Sequence, residues 1–367
     1  MVLIYKRNIP KVTNRRNQRP ILILFALSLL FFVLSRYIPF KDADRIKGEM
    51  TEASRIMSKA VDIIRECREE KGFTLDRDSD INMTGLIGLE LSPLTTSLGS
   101  LEAKRTSTNP NFAGLIVFLL EESGVRRGDA IAVGASGSFP ALIVAALSAL
   151  KAMDLRPLVI CSIGASQWGA NNPDFHWLHM HSCLLRNGIF DREPIAVSLG
   201  GHKDSEENII PGGLALLLKE TRERGVLFIH EPDLKQNVET RIELYEKKAG
   251  RDKVKAFINI GGSWSNIGDD SEILKLKPGL VKTKRIPPLQ KRGVLFEMAL
   301  RKIPVIHLLN IRGLVERYGL PWDPVPLPRP GDGRIYQLAR EKQLSFFLLA
   351  AFYFLLLIAF FIFRNRL

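Results

Sequence analysis

Two uncharged apolar stretches near opposite ends of the chain constrain everything between them. The run from Leu344 to Phe363, LSFFLLAAFYFLLLIAFFIF, has the length of about 20 residues that a helix rising about 1.5 Å per residue needs to cross the hydrocarbon core of a bilayer. The other, ILILFALSLLFFVL from Ile21 to Leu34, reaches spanning length by running on to Phe40, with Arg36 snorkelling toward the interface. No small-residue cleavage site follows it and its basic leader is long, so an uncleaved signal anchor is favoured over a removed signal peptide. Lys6, Arg7, Lys11, Arg15, Arg16 and Arg19 precede this span, against Arg36, Lys41, Arg45 and Lys47 after it, which orients the N-terminus to the cytoplasm. The expectation is a two-pass plasma-membrane protein. It has basic tails at 1–20 and 364–367, spans at 21–40 and 344–363, and an extracytoplasmic domain between them.

That topology also explains the charge. The formal net charge is +13, yet the six basic residues of the leader, Arg36, Arg364 and Arg366 have no acid among them, and without these the remainder stands at only +4. Juxtamembrane clusters of this kind are drawn to anionic lipid, so anionic lipid is the expected partner and nucleic acid is excluded. Cys67, Cys161 and Cys183 fit neither a zinc pattern nor a disulfide framework, and Cys67 and Cys161 fall where cysteine acts as a small buried hydrophobe.

Ile46, Met50, Ala53, Met57, Ala60, Ile64 and Cys67 recur at spacings of four and three, one apolar seam on a helix within 41–72 that Gly72 stops. Such a seam serves a stalk or a self-pairing coiled coil, but alanine is a weak knob and Ile56 and Ile63 widen the stripe, which favours docking on the chain's own domain. Through 73–320 short apolar runs alternate with amphipathic segments: Ala130 to Val133, Leu158 to Ile163, Ile195 to Leu199, Val226 to Ile229, Ala256 to Ile260 and Ile303 to Leu309. Asn109-Pro110 opens a helix that Gly124 closes, and Asn172-Pro173 another that Gly188 closes. Phe139 to Leu150 is apolar but too short to span, and reads as a buried helix. The predicted fold is α/β, a mostly parallel, doubly wound (Rossmann-like) sheet flanked by helices, with two transmembrane helices at the chain ends. Pro321, Pro324, Pro326, Pro328 and Pro330 make 321–343 a stiff linker.

Three of these strands end in one kind of turn: Val133-Gly134-Ala135-Ser136, Ile163-Gly164-Ala165-Ser166 and Ile260-Gly261-Gly262-Ser263. A parallel sheet puts all three on the carboxyl edge, where open α/β sheets bind ligands and where glycine lets backbone N–H groups approach an anion. Any one such loop is explained as a tight strand-to-helix turn; the repetition points to a carboxylate or phosphate site, with Gly200-Gly201-His202-Lys203, His230 to Asp233 and Asn310 at neighbouring exits. Gly134-Ala135-Ser136-Gly137-Ser138 stands where a nucleophile elbow would, but the G-x-S-x-G spacing is not met, and Ser138 reads as the N-cap of the helix carrying Pro140. If Ser136 were a nucleophile, His202, His230 or His307 would serve as base. The polar segment Glu90 to Asn109 adds Thr95 and Thr96, with Lys104 and Arg105 as cations for a carboxylate, unless it is simply a solvated loop. His176, His179 and His181 have only Asp174 nearby to complete a shell, and their aromatic neighbours suggest ordinary packing, so no metal and no cofactor is expected.

The strings ELSPLTTSLGSLEAKRTSTNPNF, GDAIAVGASGSFPAL and SIGASQWGANNPDFHWL resemble the poly-γ-glutamate system protein family. The resemblance extends from about Gly85 to Asn310. It implies a membrane-anchored accessory component of a poly-γ-glutamate capsule synthesis or export system, beside the synthase ligase and its integral membrane subunits. The family supplies no catalytic residues to carry over. The expected role is noncatalytic binding of the polyanion or glutamate oligomers at the strand-exit edge. A Ser136-dependent hydrolase or transferase trimming γ-glutamyl amides, and a membrane-tethered small-metabolite module, are the alternatives.

Overall fold

A computed structural model describes residues 18–37, 42–204 and 213–363. The basic tail ahead of residue 18, residues 38–41 at the end of the first anchor, and the basic residues 364–367 lie outside them. The chain divides into one unit drawn from Met1–Ala43 and Ala339–Leu367 and another from Asp44–Leu338. Helix α1 (Gln18–Tyr37) belongs to the first, together with the last helix, described below.

Within Asp44–Leu338 the apolar runs become strands. A seven-stranded sheet contains β2 (Ala130–Ser136), β3 (Arg156–Ser162), β5 (Ala196–Ser198), β6 (Leu227–Ile229), β7 (Val254–Ile260), β8 (Gly279–Leu280) and β9 (Val305–Leu308). Its order is β6-β5-β3-β2-β7-β9-β8, parallel throughout except for β8 on β9. A separate parallel pair joins β1 (Thr95–Ser97) to β4 (Ala165–Ser166). β2 is buried at every position because it is central and covered on both faces. Alternate residues serve the two faces: Ala130 and Ala132, with Leu158, Ile160 and Phe257, pack on α8 (Leu234–Ala249) and α10 (Val294–Leu300). The opposite set, including Ile131, Val133 and Ala135, is equally buried; α5 (Pro140–Ala152) packs on β3 and β7, with α4 (Asn111–Glu122) against it. The chain starts at β2 and winds first toward β6, then returns to β7 and β9, so the order reverses between β2 and β7. That reversal is where such sheets open a crevice at their carboxyl edge.

The seam of α2 (Ala43–Glu70) docks on this domain: Ile46, Met50, Ala53, Met57, Ala60, Ile64 and Cys67 are all buried. Burial of a full-sized apolar side chain is worth roughly 1.5–3 kcal/mol, so the seam is a main tether. Arg68 adds bonds from Nη1 to the carbonyls of Gly85 (3.0 Å) and Ile87 (2.7 Å). The proline-rich segment differs from the predicted spacer, because it lies along the domain. Asp323 accepts from Arg105, Asn82 Nδ2 donates to Pro324 O (2.9 Å), and Asn111 Nδ2 donates to the carbonyls of Arg329 and Asp332. Proline offers no N–H, so carbonyls and neighbouring side chains hold this strap.

In the other unit, α1 and α12 (Leu338–Phe363) are each long and apolar enough to cross a membrane. Ser28 Oγ and Tyr353 Oη are 2.8 Å apart, and Phe31 stacks on Tyr353 at 4.4 Å. Many of their other large side chains, such as Phe25, Leu30, Phe347 and Phe361, are exposed, the outward apolar face that lipid would cover.

Candidate functional site

The turns after β2, β3 and β7 converge on one cleft of about 710 Å³ at the reversal point. Ser136, Ser138, Ser166, Gly262 and Ser263 line it, with Thr96 and Lys104 from the polar segment and His202 from the exit of β5. Sequence reasoning missed Ser97 to Ser100, Trp264, Asp269, Arg312 and Trp322, which complete its wall. Ser97 to Ser100 continue the polar segment already singled out at Thr95 and Thr96, whereas Trp264, Asp269, Arg312 and Trp322 come from parts of the chain whose local pattern does not mark them.

The loops are stitched together by backbone bonds that dictate their glycines. Gly137 N–H donates to Ser162 O (2.9 Å), and a Cβ there would stand 2.8 Å from Ile163 O. Gly164 N–H donates to Leu199 O (2.7 Å), and a Cβ would meet that oxygen at 2.6 Å. These glycines therefore permit close chain approach. With Gly134 and Gly261 they stand behind the residues that line the cleft, and are not themselves part of its lining. Thr95 is likewise withdrawn: its Oγ1 accepts from Ser92 N–H (2.8 Å) and Asn171 Nδ2 (2.9 Å).

Arg105 is the larger correction. Lys104 and Arg105 are consecutive on α3 (Leu101–Ser107) and so point about 100° apart. Arg105 turns from the cleft and clamps the strap in a bidentate pair with Asp323, Nε to Oδ1 at 2.8 Å and Nη2 to Oδ2 at 2.5 Å. The free cation at the cleft is instead Arg312, exposed on α11 (Ile311–Tyr318), unpaired with any carboxylate among the described residues and 4.0 Å over the Trp322 ring.

Lys104 points inward and is only 3% exposed. Its Nζ donates to Ser138 O, lies 2.7 Å from Ser166 Oγ and sits 3.8 Å from the centre of the Phe139 ring. Burial without an acid partner pulls its pKa down to about 7. Ser138 is not the predicted cap: Phe139 occupies that position in front of α5, and Ser138 Oγ accepts from Ser166 N–H (2.9 Å) and Ser136 Oγ (2.9 Å). Ser136 thus directs its proton at a hydroxyl and has no imidazole partner. His307 faces Asn259 inside the sheet, and burial lowers its pKa to about 4. His202 reaches the cleft because Arg241, itself buried, donates to Asp204 Oδ2 (2.9 Å) while Asp204 Oδ1 accepts from Gly200 N–H (2.7 Å), fixing the loop that carries it.

Away from the cleft, His176, His179 and Glu220 come together with ligand atoms within 4.8 Å of one another. The acid is contributed by α7 (Gly213–Glu223), which spacing around the histidines could not reveal. His176 Nδ1 accepts from Leu178 N–H, leaving Nε2–H for Glu220 Oε2 at 3.1 Å, while Arg224 donates to Oε1 at 2.9 Å. Glu220 thus bonds His176 and Arg224, whereas His179 Nε2 stands 3.8 Å from Oε1, beyond hydrogen-bond distance, and its buried Nδ1 has no partner among the described residues. Burial opposes ionisation of Glu220, but His176, His179 and Arg224 hold its pKa down to about 2. His181 separates from the pair and faces Glu193 at 3.5 Å.

Comparison with family models, with curated proteins and with solved structures finds no match to this chain.

Proposed function

We propose that the cleft binds a carboxylate-bearing chain, and that the protein is a membrane-anchored accessory component of a poly-γ-glutamate synthesis or export system. The observation that carries the binding reading is the convergence of Ser136, Ser166 and Ser263 from three separate turns on one cleft, with Arg312 exposed at its wall. The Arg312 guanidinium, which has no carboxylate partner among the described residues, and the Ser166 hydroxyl can donate, and a run of carboxylates supplies the matching acceptors. A volume of about 710 Å³ holds a short stretch of polymer and leaves the remainder outside. The resemblance of the three sequence strings supports the choice of polymer, and the two apolar helices support anchoring beside a ligase and its membrane subunits, with anionic lipid at the basic flanks.

Calorimetry on the full-length protein in detergent should detect oligo-γ-glutamate binding that weakens as salt rises, since exposed charges are screened over about 10 Å at 0.1 M ionic strength. Arg312→Ala should weaken binding by roughly 10-fold or more, the usual worth of a hydrogen bond to a charged group. Absence of binding at low salt would sink the reading.

A further inference from the structure

We propose that Ser166 and Lys104 form a nucleophile and general-base pair for acyl transfer at an amide bond held in this cleft. The identity of the amide as γ-glutamyl rests on the reading above; the pair itself stands on geometry. Ser166 Oγ and Lys104 Nζ are 2.7 Å apart, within the reach a base needs, and both line the cleft. The second partner of Nζ, the Ser138 carbonyl, can only accept, so it orients the amine without competing for its lone pair. A neutral Lys104 gives one N–H to that carbonyl and keeps its lone pair for the Ser166 hydroxyl. No carboxylate among the described residues is bonded to Lys104, and burial places its titration near neutrality, the condition under which lysine serves as a base. The other ionisable groups of the cleft wall are His202, Asp269 and Arg312; Arg105, next along the helix, is occupied by Asp323. Ser138 supports the nucleophile from behind by accepting Ser166 N–H at 2.9 Å.

The reaction balances without an added oxidant or metal. Lys104 Nζ takes the Ser166 proton as Oγ bonds the amide carbon. The C–N bond then breaks, and the ammonium returns that proton to the departing amine. The resulting Ser166 ester is attacked by water, for hydrolysis, or by a second amine, for transfer. Lys104 removes the proton from that nucleophile and passes it to Oγ as the ester bond breaks. This differs from a Ser136 nucleophile, whose hydroxyl faces Ser138 and has no base beside it.

The test uses a fluorophosphonate probe, which reacts with activated serines and needs no polymer, on the full-length protein in detergent, with the modified peptide located by mass spectrometry. A single adduct at Ser166 is expected, with a rate that rises through about pH 7 and levels off above it. Ser166→Ala should lose the adduct while keeping the wild-type melting curve, and Lys104→Met should slow labelling by at least ~100-fold. Because Lys104→Met could fail to fold, the pH profile of the wild type and the location of the adduct are independent readouts. No adduct on folded wild type between pH 6 and 9, an adduct at Ser136 instead, or wild-type labelling in folded Lys104→Met overturns the proposal. Oligo-γ-glutamate should slow labelling by occupying the cleft. Labelling at Ser166 that the oligomer leaves unchanged keeps the pair and removes the polymer as ligand, whereas calorimetric binding without labelling keeps the binder and removes the pair.

Discussion

A lysine buried with no acid beside it weakens a fold at neutral pH, and Lys104 carries that cost for the cleft. Its ammonium titrates at about 7 in the folded chain against 10.5 when exposed, so between these values the unfolded chain holds a proton that the native chain has released. The group's contribution to stability is complete above pH 10.5 and is lost progressively as pH falls to 7. Thermal unfolding of the full-length protein should therefore show a rise in stability from pH 7 toward 10 that is diminished in Lys104→Met. The difference should be of order 1 kcal/mol per pH unit across that window. Parallel pH profiles for wild type and variant would mean that the amine is solvated, and would remove the reason for its being neutral and able to accept a proton near pH 7. The sequence marked Lys104 as a functional cation but could not distinguish it from Arg105. One residue of helix rotation sends the first into the cleft and the second to Asp323.

At the scale of elements, the Arg105–Asp323 clamp joins α3 to the proline-rich strap and so sets one wall of the cleft through Trp322. Asp323→Ala leaves Arg105 partly buried without its carboxylate, and should cost about 1–3 kcal/mol of stability. It should also make the chain after Pro321 more sensitive to trypsin at Arg329; unchanged proteolysis would show that the carbonyl bonds of Asn82 and Asn111 suffice to hold the strap. Six apolar runs were legible as strands, the central ones because burial on both faces demands continuous hydrophobicity. β1, β4 and β8 were not, since these short pieces carry no apolar run of their own to read and exist only through their partners, whereas the equally short β5 and β6 sit inside longer apolar runs. The strap was misread for a related reason: proline density predicts stiffness, but whether a stiff segment is free or docked depends on what faces it.

For the whole molecule, the two apolar helices and the lysine and arginine bias of the leader make a definite topological prediction. Protease added to intact cells stripped of their wall should digest the region between the spans, and sealed inside-out vesicles should protect it. The reverse pattern would place the domain on the cytoplasmic side.

Hydrophobic periodicity and run length alone determined the α/β architecture, the two apolar ends, the docked seam of α2 and the edge of the sheet that carries the cleft, because each follows from how many neighbouring residues must be buried and in what rhythm. Recurrence of Gly and Ser at three strand exits pointed to Ser136, Ser166 and Ser263 before any geometry was known. Only tertiary structure decided which members of each turn line the cleft. Gly134, Gly137, Gly164 and Gly261 serve close packing behind the wall, and Ser138 bonds to the next turn where a helix cap had been expected. Tertiary structure alone also brought Arg312, Trp264 and Trp322 to the cleft and set Lys104 against Ser166. Side-chain direction and the desolvation of a charge are set by contacts between segments far apart in the chain, and no local pattern encodes them.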